Sequence, residues 1–155
     1  MDIVLLCSTN RGLIFLEKLH QLAPNARLTV FSFKETKWEP SYVDKIASFT
    51  ESCGGRFFLS RNIASNEFQS FWQTENVDLM LVVNWRYLIK PQIFKKPKMG
   101  TYVFHDSLLP KYRGFSPTIW AMINGENHTG VTLFEISDSI DSGDIIDQQK
   151  IPISQ

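Results

Sequence analysis

The chain has 155 residues, 43% of them apolar and 21% charged, with a formal net charge of zero. That length supports one hydrophobic core, and the apolar content excludes a mostly disordered chain. Neutrality removes any general attraction to nucleic acid, leaving only local cationic groups at Lys111 and Arg113 and at Lys90, Lys95, Lys96 and Lys98.

Residues 2–7 are an apolar run without a basic segment before it, too short to cross a membrane, and are expected as a first strand. The polar turn Ser8-Thr9-Asn10-Arg11-Gly12 follows. It can bind an anion at a helix start or serve as an ordinary cap. Leu13, Leu16 and Leu19 form one stripe and predict a helix over 12–21. Further strands are expected at 28–33, 56–59 and 77–84, with helices at 42–50 and 67–74, where Phe68, Phe71 and Trp72 read as core contacts. Asn84-Trp85-Arg86-Tyr87 closes the fourth strand: the amide can donate into a cleft, and the indole can cover a flat ligand or pack in the core. Pro91 and Pro97 bracket a polar connection ending at Gly100.

Residues 101–104 read as a strand leading into His105. A helix is expected over 116–125, capped by Ser116, with Pro117 in its first turn and Asn124-Gly125 at its end. Strands at 131–135 and 145–153 complete the chain. Continuously apolar strands alternating with helices predict an α/β fold, an open and mostly parallel sheet with helices on both faces. Residues 1–155 are expected as a single domain, either a fragment cut on its carboxy-terminal side or a minimal version, because no covering helix follows the last strand. Cys7 and Cys53 lack metal-ligand spacing and fit reduced thiols of a cytoplasmic protein.

The chemistry concentrates in His105-Asp-Ser-Leu-Leu-Pro-Lys-Tyr-Arg-Gly114 and, some thirty residues on, Asp141-Ser-Gly-Asp144. A histidine beyond a strand end can exchange a proton near neutral pH, or it can be a buried ring satisfying loop carbonyls. Lys111 and Arg113 can bind phosphate or carboxylate, or belong to a solvated loop. Asp106 can pair with one of these cations or cap the turn. The Asp138, Asp141 and Asp144 spacing lacks the full calcium-loop pattern, so no metal is expected. A carboxylate meeting His105 would fix its tautomer.

The histidine segment, continuing through Phe115-Ser116-Pro117, resembles the signature of the folate-dependent formyltransferases. Trp120-Ala-Met-Ile-Asn-Gly-Glu126, Thr129-Gly-Val-Thr132 and Asp141-Ser-Gly-Asp144 are similar to it as well. The resemblance implies a Rossmann-like catalytic domain that moves a formyl group from N10-formyltetrahydrofolate to a primary amine. It implies His105 as the catalytic histidine and Asp141 as its carboxylate partner. It places the pteridine along Trp85, Arg86, Tyr87, Leu88 and Ile89, with Ile136 and Asp138 also on the donor. It assigns the amine acceptor to Ser8, Thr9, Asn10, Ser107, Leu108, Lys111, Arg113 and Gly114.

One departure stands out. The family pattern has Asn two residues before the histidine, where this chain has Val103. Loss of such an oxyanion donor costs about 3 kcal/mol of transition-state stabilisation, and Asn84 is the candidate substitute. The wording around Ser107–Gly114 and Asn84–Tyr87 favours a nucleotide-linked amino sugar as acceptor. Another small amine, glycinamide ribonucleotide and methionyl-tRNA are the alternatives, the last disfavoured by the neutral charge. A homodimer, an additional domain, or a non-catalytic folate- or nucleotide-binding module complete the expectations. Neither a membrane nor a nucleic acid is expected as a partner otherwise.

Overall fold

Strand β1 (Asp2–Cys7) is paired in parallel with β2 (Arg27–Ser32) on one side and β4 (Leu79–Val83) on the other, and β3 (Arg56–Leu59) continues outward from β2. A computed structural model describes residues 1–153 and shows two compact units, Met1–Thr101 and the residues from Tyr102 onward. In the first unit the near-continuous apolar sequence of β1 is explained by burial: Ile3, Val4, Leu5, Leu6 and Cys7 are all inaccessible to solvent or nearly so. Parallel strands need crossovers, supplied here by α1 (Thr9–Leu22) and α2 (Val43–Ser52). The β3–β4 crossover carries a 3₁₀ turn (Asn66–Phe68) running into α3 (Gln69–Thr74). Phe31 on β2 gathers the aromatic core, with Phe58, Phe68, Phe71 and Trp72 ring centroids 5.1–5.9 Å away.

The polar connection expected between Pro91 and Pro97 is partly a short helix, α4 (Pro91–Phe94). Proline suits the first helical position, and Ile93 and Phe94 are buried. The Thr101 hydroxyl donates to the Phe94 carbonyl at 2.8 Å. Helix α1 begins three residues before its expected start, because extended Ser8 stands at its N-cap.

The second unit is antiparallel. β5 (Thr101–His105) pairs with β6 (His128–Glu135), and β6 with β7 (Ile145–Pro152). Along β6, Gly130, Thr132 and Phe134 point inward and alternate with more exposed residues, the period-2 pattern of a half-covered sheet. Strand β7, expected as an apolar strand with no covering helix after it, is exposed at every residue. Helix α5 (Pro117–Ile123) buries only Ala121. Ser116 does not cap it: its φ is +54° and its side chain makes no cap bond. The parallel first unit and antiparallel second unit make this a Rossmann-like α/β fold, a mixed, mostly parallel sheet with helices on both faces. Among the described residues no helix is long and apolar enough to cross a membrane.

Candidate active site

His105 ends β5 and is 8% exposed. Its Nε2 lies 2.9 Å from the Tyr112 carbonyl. A carbonyl only accepts, so this bond requires the proton on Nε2. Its Nδ1 lies 3.5 Å from Asp141 Oδ2. The structure thus joins the two expected readings of this residue: it satisfies a loop carbonyl with one nitrogen and faces a carboxylate with the other. Both ring nitrogens thus face oxygen atoms. The edge of His105 also meets Phe134, centroids 6.5 Å apart.

Asp141 is held from two sides. Its Oδ2 accepts from the Gly114 backbone N–H at 2.8 Å. Gly114 has φ +92°, a conformation glycine adopts without steric cost. Behind Asp141 the chain returns across the end of β6, where Glu135 N–H donates to the Asp144 carbonyl at 2.9 Å. A Cβ at Gly143 would stand 1.7 Å from the Glu135 carbonyl oxygen, so only glycine permits this crossing. Tyr112 and Asp141 also take positive φ, +57° and +45°. Left-handed non-glycine residues persist where the surroundings over-determine them.

The loop between these residues is tied down by its own polar groups. The Ser107 hydroxyl donates to the Lys111 carbonyl at 2.6 Å, and the Leu109–Pro110 bond is cis. The Lys111 ammonium, expected as an anion ligand, is paired instead with Glu126 at 3.1 Å. The Tyr112 hydroxyl donates to the same carboxylate oxygen at 2.9 Å. The tyrosine bond and then the lysine hold the Glu126 carboxyl below its usual range, and the Glu126 bond raises Lys111. Arg113 is exposed. Leu108 and Ile136 are half-buried, and Asp138 is exposed. The Asp106 carbonyl accepts from the Thr118 and Thr129 hydroxyls.

In the first unit, strand order reverses between β1 and β4, and ligands of open α/β sheets gather beyond the carboxyl ends of strands at such a point. Here the Ser8 hydroxyl donates to the Asn84 carbonyl at 2.5 Å, and Asn84 Nδ2 donates to Thr9 Oγ1 at 2.7 Å. Asn84 and Thr9 both have positive φ, +55° and +63°. One amide hydrogen of Asn84 is therefore engaged in joining β4 to the β1–α1 turn. An open cleft of about 530 Å³ lies alongside, lined by Thr9, Asn10, Arg11 and Tyr42 among others. Trp85 packs edge-on against Phe33 and Tyr87, centroids 5.4 and 5.7 Å away, while its Nε1 is buried without a partner. Arg86 is clamped by both carboxylate oxygens of Glu39. That bond, aided by Thr36, lowers the Glu39 carboxyl to about 2. Leu88 is 84% exposed, and Ile89 is half-buried.

Sequence reasoning missed Glu39, the Tyr112 carbonyl, and the Thr132–Gln148 pair on β6 and β7. Thr132 ends the Thr129-Gly-Val-Thr132 stretch that resembles the family signature, but its sequence does not indicate which backbone groups its hydroxyl meets. Gln148 gives no signal at all.

The formyl transferase family model matches residues 2–155. The chain belongs to the formyl transferase family. It is 42% identical over 95 residues to a methionyl-tRNA formyltransferase of Azobacteroides pseudotrichonymphae, an alignment covering 61% of this chain and 29% of that protein. Its fold matches phosphoribosylglycinamide formyltransferase of Bacillus halodurans with a TM-score of 0.78 at 16% identity, covering 100% of this chain and 81% of the other. It matches WlaRD, a sugar 3N-formyltransferase solved with dTDP and 5-N-formyl-tetrahydrofolate, with a TM-score of 0.70 at 24% identity, covering 99% and 52%. The chain spans less than a third of the length of the curated relatives it matches.

Proposed function

We propose that this chain carries the reacting centre of an N-formyltransferase that moves a formyl group from N10-formyltetrahydrofolate to a primary amine. The single observation that carries the reading is the His105 environment: Nδ1 3.5 Å from Asp141, and Nε2 held by the lone carbonyl of Tyr112. The donor supplies an electrophilic formyl carbon. The attacking amine forms the new C–N bond while the bond to the folate nitrogen breaks. The proton lost by the amine ends on that folate nitrogen, giving a formamide and tetrahydrofolate. His105 gives its Nε2 proton to that folate nitrogen and regains the one the amine loses, and Asp141 stabilises the imidazolium form of the ring.

The Tyr112 carbonyl stands where an acceptor oxygen meets Nε2–H. In this reading the formyl oxygen takes over that position during transfer, so His105 itself supplies the oxyanion donor that Val103 cannot. Asn84, with a second amide hydrogen beyond the one on Thr9, is the other donor of the sequence reading. The donor's pteridine is assigned to Trp85–Ile89, supported by the buried, unpartnered Trp85 Nε1 and the exposed Leu88. Ile136 and Asp138 keep their donor assignment. Thr9, Asn10, Leu108, Arg113 and Gly114 keep that of the acceptor, whereas the buried Ser8 and Ser107 hydroxyls are engaged by the Asn84 and Lys111 carbonyls. Lys111 joins them only by releasing Glu126.

For the acceptor, the 42% identity to a methionyl-tRNA formyltransferase supports methionyl-tRNA over the amino sugar favoured by the loop wording. The test is tetrahydrofolate release with methionyl-tRNA, glycinamide ribonucleotide and amino-sugar nucleotides offered in turn. Acceptor-dependent release is expected, falling by about 10²-fold or more in His105→Ala. Folded protein that binds folate yet releases none with any amine would turn the reading to a binding module. In the same assay Val103→Asn adds the missing donor, and an increase in kcat is expected.

A further inference from the structure

Thr132 sits on β6 directly opposite His105 in the β5–β6 ladder and is 0% exposed. Its hydroxyl donates to the Ser107 carbonyl at 2.6 Å. It accepts from the Leu109 backbone N–H at 3.1 Å and from Gln148 Nε2 at 2.9 Å. A hydroxyl has one hydrogen to give and two lone pairs to receive, so every bond this group can make is used. Gln148 projects from β7 and also donates to the Leu109 carbonyl at 2.8 Å. Two side chains on neighbouring strands thus hold both backbone groups of Leu109 and the carbonyl of Ser107.

The consequence reaches the histidine in two steps. Ser107 passes the restraint on by donating to the Lys111 carbonyl. The next residue, Tyr112, presents its carbonyl to His105 Nε2. Buried backbone groups in a loop need partners, and a threonine doing only that would be a structural residue. Here the groups it satisfies are those that fix where the Tyr112 carbonyl stands.

We propose that Thr132 and Gln148 are positioning residues for transfer: a two-strand clamp that sets the Ser107–Tyr112 loop and so holds the proton on His105 Nε2 in its working place. The proposal rests on the reading of His105 as the reacting histidine. Neither side chain touches substrate, so neither is a catalytic residue.

The full chain is compared with Thr132→Val, Thr132→Ser and Gln148→Met. Valine keeps the shape and removes the hydroxyl, whereas serine restores it. The first readout is the His105 imidazole ¹⁵N–¹H resonance, independent of turnover. A solvent-protected Nε2 proton is expected in the wild type and Thr132→Ser, with solvent exchange at least about tenfold faster in Thr132→Val. The second is the division between kcat and KM with N10-formyltetrahydrofolate. A displaced reacting group lowers kcat by about ten- to a hundredfold, with the donor KM within about twofold and kcat recovered in Thr132→Ser. If Thr132→Val does not fold, Gln148→Met, which leaves the hydroxyl in place, carries the same expectations in weaker form. An unchanged imidazole resonance in a folded clamp variant overturns the proposal, as does a folded Thr132→Ser that behaves like valine. A wild type without turnover on any amine defeats the transfer reading instead, and the resonance still decides the clamp.

Discussion

Phe31 in the first unit is surrounded by rings; His105 in the second has an oxygen at each ring nitrogen. Around Phe31 the stabilising quantity is apolar surface removed from water, non-directional and tolerant of small shifts. Around His105 it is a set of hydrogen bonds whose donors and acceptors must match one for one, because an unmatched buried group costs its full desolvation. The first unit buries β1 from Ile3 to Cys7, while the second leaves all of β7 and most of α5 exposed. The comparison separates two tasks. Packing gives the parallel unit its core, and directional bonding makes the antiparallel unit able to hold one imidazole in one orientation.

The contrast can be broken most forcefully at Phe31. Phe31→Ala removes the centre of the five-ring cluster and is expected to cost about 3–5 kcal/mol, read as a lower denaturation midpoint. A loss under about 1 kcal/mol would show that the rings do not act as the core. Next comes Gly143→Ala, which forces a methyl group against the Glu135 carbonyl. A destabilisation of about 1–3 kcal/mol is expected, with loss of the His105–Asp141 contact visible in the imidazole spectrum. An unchanged spectrum would mean that Asp141 is placed by something other than this crossing.

A smaller effect should follow pH. The Glu39 carboxyl is held at about 2 by Arg86, against an ordinary 4.5. Its folded-state value is depressed, so its stabilising contribution is fully present above 4.5 and is lost as pH falls from there toward 2. For an ion pair still in reach of solvent this is under about 1 kcal/mol. Denaturation midpoints at pH 6, 4 and 3 should show it, and Glu39→Gln should flatten that part of the profile. The smallest change is expected on α5, where Ile123 is exposed. Ile123→Glu should alter stability by no more than about 0.5 kcal/mol, and a larger loss would show that this helix face is covered in solution.

Much of the fold was legible because burial leaves a one-dimensional trace. Strands β1 and β3 lie where the apolar runs place them, and the leucine stripe of α1 and the aromatics before β4 found their helices and core. The reading failed where exposure or local bonding decided instead. Ser116 looked like a cap and is left-handed. Pro91 and Pro97 looked like the ends of a loop, yet Ile93 and Phe94 needed burial and made a turn of helix between them.

For the candidate site, the sequence by itself determined which groups are available: a histidine after a strand, a carboxylate thirty-six residues later, a glycine in each of the two loops, and a valine where the family has asparagine. Those are matters of residue identity and order. Only the tertiary structure decided what each group faces. Lys111, read as an anion ligand, turned to Glu126, and Arg86 turned to Glu39. The Tyr112 carbonyl reached His105, and Thr132 and Gln148 converged on Leu109. Hydrogen bonds run between atoms that sequence separation does not relate, and a backbone carbonyl carries no residue type by which it could have been foreseen.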